Sequence, residues 1–435
     1  MNSIMQVIPC DFHIPHALRD IIEILHSKGF SAYLVGGCVR DGLLKKAIKD
    51  YDIATCALPN EIMEIFHTSA FSPIPIGIKF GTIALYHKQS KQQYEVTTFR
   101  TESAYNDNRK PDSVEFVDDL KKDLLRRDFS INALACEVRG KHCFVIDYVG
   151  GLRDLKKQKI VCVGNAKQRL SEDALRILRA LRFSATLGFR IQKHTHNALV
   201  QNTPLLLNLS AQRIASELDK IFIAKHFVRV FKAYSDIFAF ILHTYCRIDT
   251  LKNVKIQAIS KDLSRFKNVK QDILLSARWV CILAFVQKHQ NACAKQILEN
   301  LKYPNAFIRK IVAFAQFYEV DLTPKRDKQL RIALKNLLHK MGVKNTSEFL
   351  CIKMCLMKKK HIMRVKSAFS VARKECFNLQ GLCVRGDDLS ALGLNGRQIG
   401  AALEQLLLEV INQKCKNTKK SLLSRAKKLQ ESGVI

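Results

Sequence analysis

A chain of 435 residues, 47% hydrophobic and 25% charged, is too long for one small domain and too apolar for a disordered or fibrous protein. It carries 71 Lys and Arg against 39 Asp and Glu, a formal charge of +32, which points to a polyanionic partner, nucleic acid before membrane. No run of about 18 uncharged apolar residues occurs, so no membrane span is expected.

The N-terminus lacks the basic, apolar and small-residue order of a signal peptide. Fourteen cysteines without such a peptide imply reduced thiols in the cytoplasm. None forms a C-x-x-C pair, so a zinc site is not expected.

The first part of the chain mixes helix and strand patterns, and the rest is helical, which makes an α+β protein. Residues 17–28 read as a helix closed by Gly29. A strand at 32–35 runs into Gly36-Gly37. Further strands fall at 50–54, 81–86 and 94–99, rich in β-branched and aromatic residues between turns. Residues 101–112 form a polar loop ending in Lys110-Pro111-Asp112. Short strands follow at 144–146 and 160–163. From about residue 170 apolar positions recur at three- and four-residue spacing. Breaks come near Pro204, Pro304 and Pro324, and between Gly381 and Gly396. Residues 412–429 hold seven Lys and Arg and no acid, and Lys419 and Lys420 are read as RNA contacts.

Several segments carry chemistry. Gly36 and Gly37 let a backbone approach a ligand, the helix that follows offers free N–H groups to phosphate, and Arg40 adds a cation. Asp50 and Asp52 share one face of a strand and repel each other unless a cation lies between them. Hard oxygen ligands of this kind suit Mg²⁺. Glu95, on a later strand, is the third acid. Arg126 and Arg127 can neutralise triphosphate oxygens. Asn132 suits ribose hydroxyls, with the Arg126-Arg127-Asp128 segment beside it. The stretch from Asp147 through Gly150-Gly151 reads as a tight turn between two layers.

Ser171 is expected to cap a helix on which Glu172, Asp173, Arg176 and Arg179 share a face. A carboxylate beside a guanidinium offers an acceptor next to a donor. Asp173 with Arg176 would match the amino and ring-nitrogen edge of cytosine and adenine and reject guanine and uracil. Taken singly, each feature has a bland reading. A Gly-Gly turn is common, and an exposed i, i+3 ion pair is worth about 0.2–0.5 kcal/mol.

In this order the segments resemble the class II tRNA nucleotidyltransferase and bacterial poly(A) polymerase family, over about residues 33–190. The resemblance implies a nucleotidyltransferase-type mixed β-sheet head with helices, followed by an all-α neck, body and tail. The parts are placed at 14–140, 141–224, 225–345 and 346–435. It implies that Asp50 and Asp52 hold Mg²⁺, and that the Asp173 and Arg176 motif, with Arg179 following, reads the incoming base. Arg100, Glu102, Tyr105, Asp107 and Arg109 resemble the flexible loop of CCA-adding enzymes, with Asp107 and Arg109 as its acid and base. The segments from Gly386 and from Gly396, with Asn417, are similar to the tail of that branch. The expected substrates are therefore CTP, ATP and the tRNA acceptor arm, with no obligate protein partner. Poly(A) addition on the same scaffold is the alternative, and a catalytically silent RNA-binder a third reading. The chain departs from the family at Gln212 and Val149, and residues 236–360 do not align by eye.

Overall fold

The computed structural model describes residues 6–10, 14–67, 69–102, 114–140, 142–246, 259–290 and 294–432. The chain divides into two compact units, Met1–Ile241 and Leu242–Ile435. Asp107 and Arg109 lie outside the described residues.

The first unit is built on strands β1 (Gln6–Cys10), β2 (Ala32–Val35), β3 (Asp52–Thr55), β4 (Phe71–Gly77), β5 (Thr82–His87) and β6 (Gln93–Thr98). After β7 (Arg100–Glu102) and β8 (Val114–Phe116) come β9 (Leu134–Arg139) and β10 (His142–Asp147). Eight of them form one mixed sheet in the order β1-β10-β9-β2-β3-β6-β5-β4. Strands β2 and β3 run antiparallel, with Val35 opposite Asp52. Strands β3 and β6 run parallel, with Asp52 opposite Glu95. The helix His16–Ser27 buries Leu18, Ile21, Ile22 and Leu25. That i, i+3, i+4, i+7 stripe joins Leu34, Ile53, Val96 and Cys136 of the sheet in one apolar core.

Several expected boundaries move. β3 starts at Asp52, so Asp50 and Tyr51 precede the strand and are not placed by its alternation. β4 was not expected; it contains Pro73 and Pro75 and is an edge strand, where a missing N–H is tolerated. Strands β1 and β9 were not expected either. Thr101 and Glu102 pair with β8 instead of opening a loop. The expected strand at 160–163 shrinks to β11 (Lys159–Ile160), which pairs in parallel with β12 (Arg190–Ile191). That small pair and β10, which belongs to the eight-stranded sheet, are the strands that fall inside the expected all-α neck. The expected helix capped by Ser171 is two helices, Ala166–Glu172 and Leu175–Leu187. Asp173 breaks them at φ −133° and ψ 102°. Its carboxylate accepts the Leu175 N–H at 3.1 Å, so Asp173, not Ser171, caps the second helix.

The second unit is helical throughout its described residues. Its longer members are Gln271–Gln290, Asp327–Leu356, Lys359–Ala372, Gly396–Ile411 and Lys419–Glu431. Asp327–Leu356 is two helices joined at Gly342. Among the described residues no helix is long and apolar enough to cross a membrane.

The turn after β10 shows how one buried carboxylate sets local structure. Asp147 Oδ1 accepts the N–H groups of Val149, Gly150 and Gly151 at 2.9, 2.9 and 3.0 Å, and Oδ2 accepts that of Leu152 at 2.9 Å. The turn presses on the segment before β9. A Cβ on Gly151 would lie 2.2 Å from the Ser130 carbonyl oxygen, and Ser130 Oγ donates to Asp154 Oδ2 at 2.7 Å. Gly151→Ala is therefore expected to cost about 1–3 kcal/mol by overpacking. Denaturant unfolding of the full chain checks this, and a change within about 0.5 kcal/mol would contradict it.

Candidate active site

The site starts where β2 ends. Gly36 takes φ 76° and ψ −127°, a conformation closed to most side chains, and caps the helix Gly37–Leu43. Its N–H donates to the Leu134 carbonyl at 3.1 Å. A Cβ there would meet Arg127 Nη1 at 3.0 Å and Asp52 Oδ2 at 3.8 Å. The glycine thus lets a guanidinium and a carboxylate close over the strand end.

Three acids converge beside it. Asp52 and Glu95 are register partners on β3 and β6, and Asp50 lies close enough to act on both. Burial raises the Asp52 carboxyl, against the pull of Arg127 and with the push of Asp50. Partial desolvation, then Asp52 and Asp50, raise Glu95. Strand register thus sets Asp52 beside Glu95, with Asp50 near enough for its charge to bear on both. An oxygen-only donor set carrying this much mutual repulsion fits a hard divalent cation.

The two arginines are held by a residue that sequence reasoning passed over. Asp123 is fully buried. Its Oδ1 accepts Arg126 Nε at 2.9 Å and Nη2 at 2.7 Å, and its Oδ2 accepts Arg127 Nη2 at 2.9 Å. Burial alone would raise its carboxyl, but Arg127 and then Arg126 outweigh that and hold it below the usual range. The i, i+3, i+4 spacing of Asp123, Arg126 and Arg127 was the available signal. Arg126 Nη1 also donates to Glu102 at 2.9 Å. Arg127 Nε is buried with no hydrogen-bond partner among the described residues.

A second chain of contacts fixes Asn132. Asp128 accepts Arg179 Nη2 at 2.6 Å and Nε at 2.7 Å, and the Asn132 amide at 3.2 Å. Arg40 donates to the Asn132 oxygen and pairs with Asp41 at 2.8 Å. Phe183 supports three guanidiniums: Arg40, Arg179 and Arg182 lie 5.3, 5.6 and 4.6 Å from its ring centre. Asp128 therefore positions Asn132 and Arg179. Asp128 and Asn132 are both buried.

The expected base-reading pair is arranged differently from a shared helical face. Asp173 accepts Arg213 Nη2 at 3.3 Å, and burial raises its carboxyl against that charge. Arg176 is buried, donates to the Arg169 carbonyl at 2.8 Å, and lies 3.3 Å from Glu172 and 3.6 Å from Glu102. The helix Ala211–Ile223 braces both neighbours, with Arg213 on Asp173 and Glu217 3.2 Å from Arg182. In the second unit Thr418 caps the helix that opens with Lys419 and Lys420. Lys419 pairs with Asp388 at 2.5 Å, and Lys420 is exposed.

This geometry meets its counterparts among known proteins. Residues 32–161 match the profile described as "Poly A polymerase head domain". Residues 188–237 match "Probable RNA and SrmB- binding site of polymerase A", and residues 275–426 match "tRNA nucleotidyltransferase domain 2 putative". A CCA-adding enzyme of Lactococcus lactis subsp. cremoris (strain MG1363) is 34% identical over 419 residues, 95% of this chain and 96% of the relative. The chain belongs to the CCA-adding enzymes. A second such enzyme, from Lactococcus lactis subsp. lactis (strain IL1403), is 39% identical over 309 residues, 70% of this chain and 72% of the relative. The solved Bacillus stearothermophilus CCA-adding enzyme in complex with CTP aligns at TM-score 0.71 and 28% identity, over 95% of this chain and 96% of that one. The likeness to CCA-adding enzymes thus runs through residues 236–360 as well.

For a CCA-adding enzyme the double grip of Asp123 has a direct consequence. Asp123→Asn removes one charge from a carboxylate that two guanidiniums share. It is expected to raise KM for CTP and ATP about 10-fold or more, since hydrogen bonds to charged groups are worth about 1.5–3 kcal/mol, while tRNA affinity stays within about 2-fold. Steady-state kinetics with each substrate varied in turn checks it. An unchanged nucleotide KM would contradict the assignment.

Proposed function

We propose that this chain adds two cytidylates and one adenylate to the 3′ end of tRNA, from CTP and ATP, with release of pyrophosphate. The observation that carries the reading is the register of β3 against β6, which sets Asp52 beside Glu95 at the Gly36 strand end under Arg127. Asp50 and Asp52 hold Mg²⁺, and Glu95 lies alongside. Two such ions would be held there, one lowering the pKa of the attacking hydroxyl and the other offsetting charge on the leaving oxygens.

The other residues bind and orient. Gly36, Gly37 and Arg40 cradle the triphosphate, with Arg126 and Arg127 as its counter-charges. Asn132, steadied by Asp128 and Arg179, meets the ribose. Asp173 and Arg176 read the base edge, and in the present structure each is engaged by neighbouring side chains that base reading has to displace. Asp107 and Arg109 serve as the acid and base of the loop. We assign residues 14–140 to the catalytic head, 141–224 to the neck, 225–345 to the body and 346–435 to the tail. Lys419 and Lys420 of the tail contact RNA phosphates, with Lys420 the more available. We assign this work to the cytoplasm.

A poly(A) polymerase reading is favoured by one observation, the description of the head profile. One experiment separates the two. A tRNA lacking its terminal CCA is incubated with the protein, Mg²⁺, and CTP and ATP singly and together, and products are resolved nucleotide by nucleotide. Two C from CTP alone, and CCA followed by arrest from both, is the expected result. A long A ladder from ATP alone would overturn it. Asp52→Ala should abolish all extension and leave tRNA binding intact.

A further inference from the structure

The cysteines of this chain contain no C-x-x-C spacing, yet three that are far apart in sequence meet on one sheet face. Cys10 of β1 is the register partner of Cys143 of β10. Cys143 pairs with Val138 of β9, two residues from Cys136. Alternation therefore points all three side chains to the same side. Cys136 and Cys143 are buried in the apolar core, and Cys10 packs at its rim. The Cys10 and Cys136 sulfurs lie 3.8 Å apart, and all three sulfurs fall within 4.8 Å of one another.

Packing does not call for three sulfurs in mutual contact. Isolated buried cysteines elsewhere, such as Cys38 and Cys162, act as small apolar fillers. Three thiolates around an ion with metal–sulfur bonds of about 2.3 Å would stand about 3.8 Å apart, which is the spacing already present between Cys10 and Cys136. We propose that Cys10, Cys136 and Cys143 form a binding site for a soft divalent cation of the zinc type, separate from the carboxylate site.

Thiolate ligands select such an ion over Mg²⁺. Binding replaces three S–H bonds by three metal–sulfur bonds and releases the protons to buffer. Three ligands leave one position of a tetrahedral ion unfilled among the described residues, so the affinity falls below that of a four-thiolate site.

The site has a mechanical role. β1 is an edge strand whose residues from Gln6 to Pro9 are exposed, and among the described residues it pairs only with β10. Cys10 is its one half-buried residue. A shared ion would staple this strand to β9 and β10. β9 follows directly on Asn132 and Ala133, and β10 ends in Asp147, so the staple would stiffen strands that carry the nucleotide site.

The test uses the full-length protein, stripped with chelator and kept reduced with a phosphine. Co²⁺ is titrated as an absorbing stand-in, then displaced with Zn²⁺. A thiolate-to-metal charge-transfer band that saturates at one equivalent and is bleached by Zn²⁺ is expected. Cys10→Ser removes a rim ligand at little packing cost and should weaken binding about 10-fold or more. Cys136→Ser should abolish the band, and Cys383→Ser, at an exposed thiol of the second unit, should leave it. A band unchanged in Cys10→Ser and Cys136→Ser, or no saturable band, would overturn the proposal. So would a Cys10–Cys143 disulfide mapped in freshly purified protein.

Discussion

The constraint on which the rest of the structure depends is the burial of Asp52 and Glu95 side by side, with Asp50 near enough to push on both. A chain of charge +32 has cations to spare, yet at the strand ends it brings three acids together. Only one nearby counter-charge, Arg127, lowers Asp52, and burial and Asp50 outweigh it. The fold stores this unfavourable arrangement because a mixed sheet fixes β3 against β6 by backbone hydrogen bonds, whatever the side chains prefer. On the proposed reading such a site takes a divalent ion and the phosphates that come with it.

Around that acid cluster, buried carboxylates do the positioning. Asp123 holds Arg126 and Arg127, Asp128 holds Arg179 and Asn132, and Asp147 gathers four backbone N–H groups. Each is a buried charge whose partners offset its desolvation. The result is rigid placement of cations that would otherwise be long, mobile side chains. Phe183 extends the same logic, since its one ring lies within cation–π distance of three guanidiniums that repel each other.

Much of this was legible in the sequence because its motifs are local. Gly36-Gly37, Asp52, the paired arginines and Asn132 each sit within a few residues of the element that places them. The fold class followed from the change of pattern along the chain. What was not legible depended on partners far away in sequence. Asp173 and Ser171 are both acceptable caps, and only the distant Arg213 and the break itself decide for Asp173. β4 hid behind two prolines that only an edge position tolerates. The Cys10, Cys136 and Cys143 cluster has no sequence spacing to read, because register alone creates it.

The central claim is that the acid cluster is electrostatically unfavourable until a divalent ion joins it. The Asp52 and Glu95 carboxyls are raised in the folded state, so their contribution is present at low pH and is lost as pH rises through their folded values. As the pH rises, the ion-free protein therefore carries more of the cost of burying these charges beside one another. The direct measurement is the melting temperature of the wild type and of Asp52→Asn, at neutral pH and low salt, with and without Mg²⁺. The account predicts that without Mg²⁺ the variant melts higher, by roughly 2–4 °C for each kcal/mol of repulsion relieved, and that Mg²⁺ raises the wild type but not the variant. A variant that melts lower without Mg²⁺, or an equal shift of both proteins by Mg²⁺, would contradict it.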